Sequence, residues 1–510
     1  MKIKYIGILL IALGFTACES DSSVIDETPV ELTAGSADFS NYVSLGASFT
    51  AGYSDGALFV ASQENSFPNI LSQQFAAIGG GEFTQPLTND NIGGLLLGGN
   101  VIAAPRLYFN GSAPVRLDAL PTTEVGAVMP GPYNNMGVPG AKSFHLLANG
   151  YGNVAGVSLG LANPYYARMA SNPNASMLED ALAQGPTFFT LSEIGGNDVL
   201  AYSISGGSGV DQTGNFDPTT YGPNDITDPN VFANVFGTLV GALTGTGAKG
   251  VVTNVPYVTS LPYFTTVPYA PLDPTNPDFG PQIPILNATF APLNQAFAFL
   301  GVPERSIVFS ETAASPVVIF DETLPNISEQ LNLVLQGGGV DPLTAQLLST
   351  QFAQSRQATA EDLLVLPSSS VIATLNEDYF NALIGLGIPP ATAGQLAVNG
   401  ITYPLEDQWV LTQSESGAVK VATDAYNATI ESVASSAGLA LVDLNGILQE
   451  ASGTGITFDE YTLTTQLVLG GLVSLDGIHL TFRGYALMAN KFWKPSIQPT
   501  ESNFIETGQK

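Results

Sequence analysis

Short apolar segments alternate with helical patterns along this chain, and this alternation restricts the possible folds more than any other feature of the sequence. Helical patterns come directly before two of the apolar segments, which is the order found when parallel strands of one sheet are joined by helices. The sequence therefore predicts an α/β fold with a parallel sheet. The candidate strands are residues 41–45, 187–194, 250–255, 306–310 and 439–444.

Both predicted helices carry apolar residues at every third or fourth position, the spacing of one helix face. The first pattern covers residues 231–243, and Asn230 is a suitable residue to cap its start. The second covers residues 426–437, and Gly438 is expected to end it because glycine readily adopts the left-handed conformation found after helices. Each helix leads straight into a candidate strand, as the predicted fold requires.

The chain is long, apolar and strongly acidic. Its 510 residues exceed a typical single domain, and 45% of them are hydrophobic, so a large core is expected. The 44 acidic residues outnumber the 14 basic ones and give a net charge of −30. Because this charge repels phosphate groups, nucleic acid is not an expected partner.

The first residues have the pattern of an export signal. Two lysines precede an apolar run that is too short to span a bilayer, and the run ends at Cys18, the only cysteine in the chain. Residues 1–17 resemble a bacterial lipoprotein signal in which Cys18 is lipidated, and an ordinary signal peptide is the alternative. Residues 18–40 are expected to be a flexible acidic tether. The sequence thus predicts a protein of the bacterial cell envelope, held at the outer membrane or cell surface through its lipid anchor alone.

Long irregular stretches separate the predicted elements. Residues 80–130, 205–230 and 263–415 are interpreted as insertions into the domain formed by residues 41–510, and connections of this length often build lids or binding walls. The acidic part of the second insertion, residues 211–228, offers oxygen ligands for calcium. A plain acidic surface loop is the preferred interpretation, because no ligand spacing is fixed there.

The chain contains only two histidines, which narrows the search for a general base. His479 follows Asp476 by three residues, so in a single turn the carboxylate can orient the imidazole and leave one nitrogen free to accept a proton. A chance pairing beside a structural histidine is the alternative. His145 has no carboxylate within four residues and is interpreted as structural.

Three further residues stand where catalytic groups of α/β proteins are found. Ser48 follows a candidate strand, so its hydroxyl is expected at the carboxyl edge of the sheet, as either a helix cap or a nucleophile. Gly140 lies in a predicted tight turn where a backbone amide can approach a ligand. Asn197 follows the strand 187–194, and its side-chain amide is a suitable oxyanion donor.

The four segments that carry these residues, in this order, resemble the blocks of the SGNH or GDSL hydrolase family. The resemblance implies that Ser48, in "GASFTAGYSDG", is the nucleophile and that its own amide contributes to the oxyanion hole. It implies further oxyanion donors from Gly140 in "GVPGA" and Asn197 in "GGND", and an orienting Asp476 and a base His479 in "DGIH". The implied fold is flavodoxin-like, with three α/β/α layers around a parallel sheet, and no metal or organic cofactor is implied.

The chain departs from the family pattern in two respects, and one further segment offers a competing nucleophile. Ala47 stands where the family usually has aspartate before the nucleophile, and roughly half of the chain lies in insertions that the resemblance does not cover. The segment "GVSLG" matches the nucleophile elbow of α/β hydrolases, with Ser158 as the candidate. The elbow needs a strand before the serine and a helix after it, and the flanking sequence favours neither.

The predicted function is an exported serine ester hydrolase of the lipase or esterase type that acts through an acyl-enzyme. The substrate is an ester, with lipids, short-chain esters and acylated glycans all compatible with this chemistry. Two alternatives stay open: an O-acetyl polysaccharide esterase, and a non-catalytic surface-binding lipoprotein on the same fold.

Overall fold

The computed structural model describes residues 34–458 and 460–493, without the side chain of Trp493. The predicted signal peptide and Cys18 lie outside the described residues. No helix in the described part of the chain is long and apolar enough to cross a lipid bilayer.

The described residues form strands, α-helices and short 3₁₀ turns. The strands are β1 (Tyr42–Gly46), β2 (Leu95–Leu97), β3 (Asn100–Ala103), β4 (Leu107–Phe109), β5 (Pro114–Arg116), β6 (Asn135–Gly137), β7 (Phe188–Ser192), β8 (Lys249–Thr253), β9 (Val318–Phe320), β10 (Ser355–Gln357), β11 (Leu363–Leu364), β12 (Val410–Leu411), β13 (Ala440–Val442), β14 (Ile456–Phe458) and β15 (Tyr461–Leu463). The helices are α1 (Ser48–Ala51), α2 (Val60–Glu64), α3 (Phe67–Ala76), α4 (Val154–Val157), α5 (Pro164–Met169), α6 (Met177–Leu182), α7 (Asn197–Ile204), α8 (Pro229–Gly245), α9 (Pro262–Thr265), α10 (Ile283–Phe299), α11 (Ser328–Gly337), α12 (Pro342–Gln351), α13 (Glu377–Gly385), α14 (Pro390–Leu396), α15 (Gln413–Ala437), α16 (Leu444–Gly453) and α17 (Phe482–Trp493). The 3₁₀ turns are Ser143–Leu147, Pro218–Thr220, Val258–Ser260, Gly280–Gln282, Pro303–Arg305, Leu366–Ser370 and Asp407–Trp409.

A five-stranded, all-parallel sheet forms the centre of the protein, which confirms the predicted α/β class. The strands lie in the order β13-β8-β7-β1-β6, and every neighbouring pair is parallel. Counted by their order along the chain, the five strands are arranged 2-1-3-4-5. Gly46 at the end of β1 is in register with Gly137 of β6 and with Ser192 of β7, so the segments after these three strands leave the sheet at one edge.

Helices cover both faces of this sheet. Val43, Leu45 and Phe189 point to one face and pack in a buried cluster with residues of α8 and α15. Tyr42 and Phe188, at alternate positions, point to the other face and pack with residues of α3 and α17. The strands are therefore buried on both sides, as expected for a parallel sheet between helical layers.

The insertion at residues 263–415 has a hydrophobic core of its own. Helices α10, α11 and α12 pack there against β9, which pairs with β10. In the insertion at 80–130, the antiparallel pairs β2–β3 and β4–β5 form two hairpins. The insertions thus contain ordered secondary structure rather than only loops.

Three sequence-based expectations differ from the observed fold. Residues 306–310 are extended but form no strand, because the backbone of Ile307 and Phe309 bonds to the side chains of Asn294 and Asn287 on α10 instead of to another strand. Strand β6 was not anticipated.

The third difference concerns the start of α8. Asp228 caps this helix, since its Oδ1 accepts from the amides of Asn230 and Val231 at 2.7 and 3.0 Å. Asn230 is already inside the helix. Gly438 ends α15 as expected, in the left-handed conformation with φ 65°.

Candidate active site

Ser48 lies at the carboxyl edge of the sheet, in the turn between β1 and α1. Ala47 alone separates the two elements, and this turn is too tight for a side chain at Gly46, where a Cβ would lie 2.1 Å from Thr50 Oγ1. Ser48 is mostly buried, with 8% of its surface exposed. Its position next to the ends of β6 and β7 is where α/β proteins bind ligands.

A buried carboxylate that the sequence did not reveal supports this turn. Glu193 Oε1 accepts hydrogen bonds from the amides of Ala47 at 2.7 Å and Thr50 at 3.0 Å, so it holds the backbone on both sides of Ser48. Glu193 has a left-handed φ of 49°, and its own amide donates to Thr253 Oγ1 on the neighbouring strand β8. Burial raises the pKa of Glu193 to about 7, against the lowering effect of its hydrogen bonds.

Asp476 and His479 form the hydrogen-bonded pair predicted from their spacing. Asp476 Oδ2 lies 2.8 Å from His479 Nδ1, while Oδ1 accepts from the amides of Ile478 and His479 at 2.9 and 2.8 Å. Because a carboxylate can only accept, Nδ1 carries the proton and Nε2 presents a lone pair. Burial alone would raise the pKa of Asp476, but the charge of His479 and these hydrogen bonds hold it well below its usual range.

The segment that follows Ser48 is bonded directly to the loop that carries this pair. The amide of Gly56 donates to Asp476 Oδ2 at 2.7 Å, and the amide of Asp55 donates to Ser474 Oγ at 3.0 Å. In return, the amide of Leu475 donates to Asp55 Oδ1 at 3.0 Å. Residues more than 400 positions apart in the chain are therefore fixed against each other.

The imidazole of His479 contacts two aromatic residues of the segment that begins with Ser48. The His479 ring centroid lies 4.5 Å from that of Tyr53 and 6.0 Å from that of Phe49, the residue after Ser48. Among the described hydrogen bonds, none joins Ser48 Oγ to His479. Catalytic hydrogen bonds are often long or absent before substrate binds, and tighten only in the complex.

The three predicted oxyanion donors follow β1, β6 and β7 and so lie at the same edge of the sheet. In the described part of the chain, neither the amide of Ser48 nor that of Gly140 donates to another residue. Asn197, at the start of α7, uses Nδ2 to donate to Ala141 O at 2.9 Å, which ties the Gly140 turn to the end of β7 and leaves a second N–H on that nitrogen. Gly140 itself is exposed and has a φ of 79°, a conformation that favours glycine.

The turn after Gly140 is anchored by a second residue of α7. The buried Asp198 accepts from the amide of Ser143 at 2.8 Å and from its hydroxyl at 2.6 Å. Two successive residues, Asn197 and Asp198, thus position the loop that holds Gly140. Backbone donors fixed in this way need little rearrangement to bind an oxyanion.

An apolar pocket lies at the carboxyl ends of β8 and β13, and neither Ser48 nor His479 is among its lining residues. Its volume is about 50 Å³, and it starts at the neighbours of the two candidate catalytic groups, Phe49 and Ile478. The remaining lining includes Leu444, Leu448, Leu472 and Leu480.

The competing candidates lie in other surroundings. Ser158 is exposed at the end of the four-residue helix α4 and is not preceded by a strand, so "GVSLG" does not form a nucleophile elbow. His145 stacks on Tyr151 with ring centroids 4.3 Å apart, and its Nδ1 accepts from the amide of Lys142 at 3.0 Å. Burial lowers the pKa of His145 to about 3, which suits a structural role.

The carboxylates of Asp225 and Asp228, in the acidic loop at 211–228, accept hydrogen bonds from backbone amides. Asp225 accepts from the amides of Val210 and Gly222, and Asp228 from the amide of Gly214 as well as from the first turn of α8. These bonds give the aspartates of the segment a structural role. Among the described residues, the group of three carboxylates whose oxygens come within 4.8 Å of one another lies outside this loop.

Comparison with known proteins identifies no relative: no protein-family model matches the chain, and no curated protein or solved structure is significantly similar to it.

Proposed function

We propose that this chain is a serine ester hydrolase of the SGNH type. The observation that supports the proposal is the hydrogen bond from the segment after Ser48 to Asp476, which fixes the Asp476–His479 pair against that segment. The strand order 2-1-3-4-5 is the flavodoxin-like order and supports the finer fold assignment.

In this mechanism His479 Nε2 takes the proton of the Ser48 hydroxyl as Oγ attacks the ester carbonyl. Asp476 keeps the imidazole in the correct tautomer and stabilises its protonated form. The oxyanion accepts hydrogen bonds from the amides of Ser48 and Gly140 and from Asn197 Nδ2. His479 then protonates the leaving alcohol, and water, deprotonated by the same imidazole, releases the acid from the acyl-enzyme.

We infer that the apolar pocket lined by Phe49 and Ile478, the chain neighbours of Ser48 and His479, receives the acyl group, and its size favours a short acyl group over a long lipid chain. Its volume of about 50 Å³ is a third of the roughly 150 Å³ that a benzene-binding cavity provides. A few methylene groups fit without rearrangement of the side chains around it. A short-chain ester, or an O-acetyl group on a polysaccharide, is therefore preferred as the acyl donor.

A panel of p-nitrophenyl esters from acetate to palmitate, with acetylated xylan as a separate substrate, tests this proposal. Wild type should hydrolyse the short esters fastest, Ser48→Ala should lose roughly 10⁴-fold or more of kcat, and Ser158→Ala should be unaffected. No hydrolysis by the folded wild type would favour the alternative of a non-catalytic binding lipoprotein. Selective deacetylation of xylan would specify the substrate as an acetylated glycan.

We place this enzyme in the bacterial cell envelope, anchored through a lipid on Cys18. The position of this lone cysteine after a short apolar run supports the anchor. The acidic residues that follow would keep the domain away from an anionic membrane surface.

A further inference from the structure

Three carboxylates from separate parts of the chain meet at the junction between the insertion 263–415 and the sheet domain. Glu322 follows β9, Asp407 begins the 3₁₀ turn Asp407–Trp409, and Glu415 lies in the first turn of α15. One oxygen atom from each lies within 4.8 Å of the others. Two oxygens on opposite sides of a Ca²⁺ ion, each bonded at about 2.4 Å, are about 4.8 Å apart, so a single ion can contact all three.

Two oxygens of this cluster are buried without a partner in the described part of the chain. Glu415 is 4% exposed; its Oε2 accepts from the amide and hydroxyl of Thr412 at 2.7 and 2.8 Å, whereas its Oε1 has no hydrogen bond. Asp407 Oδ1 is likewise buried without a hydrogen bond. A buried carboxylate oxygen without a partner is costly, and a bound cation would remove that cost.

The turn after α7 is shaped around these carboxylates. Gly206 and Gly207 have left-handed φ values of 68° and 83°. A Cβ at Gly207 would lie 2.0 Å from Glu415 Oε1, and a Cβ at Gly206 would lie 2.0 Å from the carbonyl oxygen of Asp407. The two glycines therefore let the backbone close over the cluster.

No basic side chain in the described structure forms an ion pair with the three carboxylates. Arg356, the basic residue bonded to neighbouring Asp321, contacts Asp321 and Asp362 at 2.7 and 2.6 Å. The cluster thus lacks the positive charge that three adjacent carboxylates require.

We propose that Glu322, Asp407 and Glu415 bind a Ca²⁺ ion that fastens the insertion to the sheet domain. Three carboxylate ligands suit a hard divalent cation, and water completes the coordination shell. Glu415 lies in α15 and the glycine turn follows α7, so the ion also links these two helices. The site is structural and is independent of the proposed ester hydrolysis.

Calcium titration of the purified, chelator-treated protein tests this site without using activity. Isothermal titration calorimetry should detect one Ca²⁺ per chain, and the melting temperature should rise with Ca²⁺ concentration because the ion binds only the folded state. Glu322→Gln should bind at least roughly tenfold more weakly, since one charged ligand is lost. Glu322 is exposed, so this variant is expected to fold in the absence of Ca²⁺.

Glu329→Gln is the matched control, because Glu329 is an exposed acid in the same insertion and lies outside the cluster. It should bind Ca²⁺ as wild type does. Glu415→Gln should fold and lose the rise in melting temperature. The proposal is wrong if wild type shows no Ca²⁺ binding heat, or if Glu322→Gln and Glu329→Gln bind Ca²⁺ equally well.

Discussion

The substitution Glu193→Gln should make the free energy of unfolding less sensitive to rising pH. The glutamine oxygen can accept from the amides of Ala47 and Thr50 as Glu193 Oε1 does, so the turn around Ser48 keeps both bonds. What the substitution removes is a carboxyl group that ionises inside the protein. Glu193→Ala, in contrast, leaves two buried amides without a partner and should cost roughly 1–3 kcal/mol for each of them.

The size of the effect follows from the pKa of Glu193. Folding raises this pKa from 4.5 to about 7, so between these values the folded state keeps a proton that the unfolded state has released. Wild-type stability therefore falls as pH rises through this window. A difference of 2.5 pKa units corresponds to about 3 kcal/mol in the free energy of unfolding.

Urea denaturation from pH 4 to pH 8 measures this difference. From pH 4 to pH 8, the stability of wild type should drop by about 3 kcal/mol relative to Glu193→Gln. Other carboxyl groups titrate equally in both proteins and cancel. Glu450→Gln, at an exposed position on α16, is the control and should follow wild type. Parallel stability curves for wild type and Glu193→Gln would refute this explanation of the turn.

Three further predictions concern the catalytic groups and the anchor. Asn197→Ala should lower kcat by roughly 10²-fold with little change in KM, because an oxyanion donor acts mainly in the transition state; an equal kcat would contradict that role. His479→Gln should lower kcat/KM by roughly 10²- to 10⁴-fold, because Nε2 of the imidazole held by Asp476 is the proposed general base; an unchanged kcat/KM would contradict that role. Cys18→Ser should abolish fatty-acid labelling and release the protein from the membrane fraction, and unchanged labelling and membrane partition would contradict the anchor.

The central sheet was predictable because its strands are apolar on both faces and two of them directly follow strongly periodic helices. Residues 306–310 have the same apolar composition but pack against α10, where asparagine side chains take the place of a neighbouring strand. Strand β6, with the sequence Asn-Met-Gly, has too little β-branched or aromatic character to stand out. Composition alone does not reveal whether a neighbouring strand or a side chain forms the hydrogen bonds of an extended backbone segment.

The candidate site was predictable where its residues are rare or close together in sequence. Asp476 and His479 are three residues apart in a chain with two histidines, and the structure pairs them. Glu193 was missed because the amides it binds lie 146 and 143 residues away. An acidic residue directly after a buried strand was the available signal, since such a residue needs a partner inside the protein.

The carboxylates of the proposed calcium site were missed for the same reason. Glu322 and Glu415 are far apart in sequence, and no spacing motif connects them. The sequence instead drew attention to the loop at 211–228, where many acids lie close together. In that loop, Asp225 and Asp228 accept hydrogen bonds from backbone amides. A high number of acidic residues in one stretch of sequence therefore did not identify the place where carboxylates come together in the structure.

Labelling with a fluorophosphonate probe tests most directly whether Ser48 is an activated nucleophile. The probe reacts with a serine whose hydroxyl is activated by a base and whose tetrahedral adduct is bound by oxyanion donors. Mass spectrometry should find the adduct on the peptide that contains Ser48 in wild type and in Ser158→Ala, and no adduct in Ser48→Ala. Labelling that persists in Ser48→Ala, or the absence of labelling from folded wild type, would contradict the proposed catalytic site.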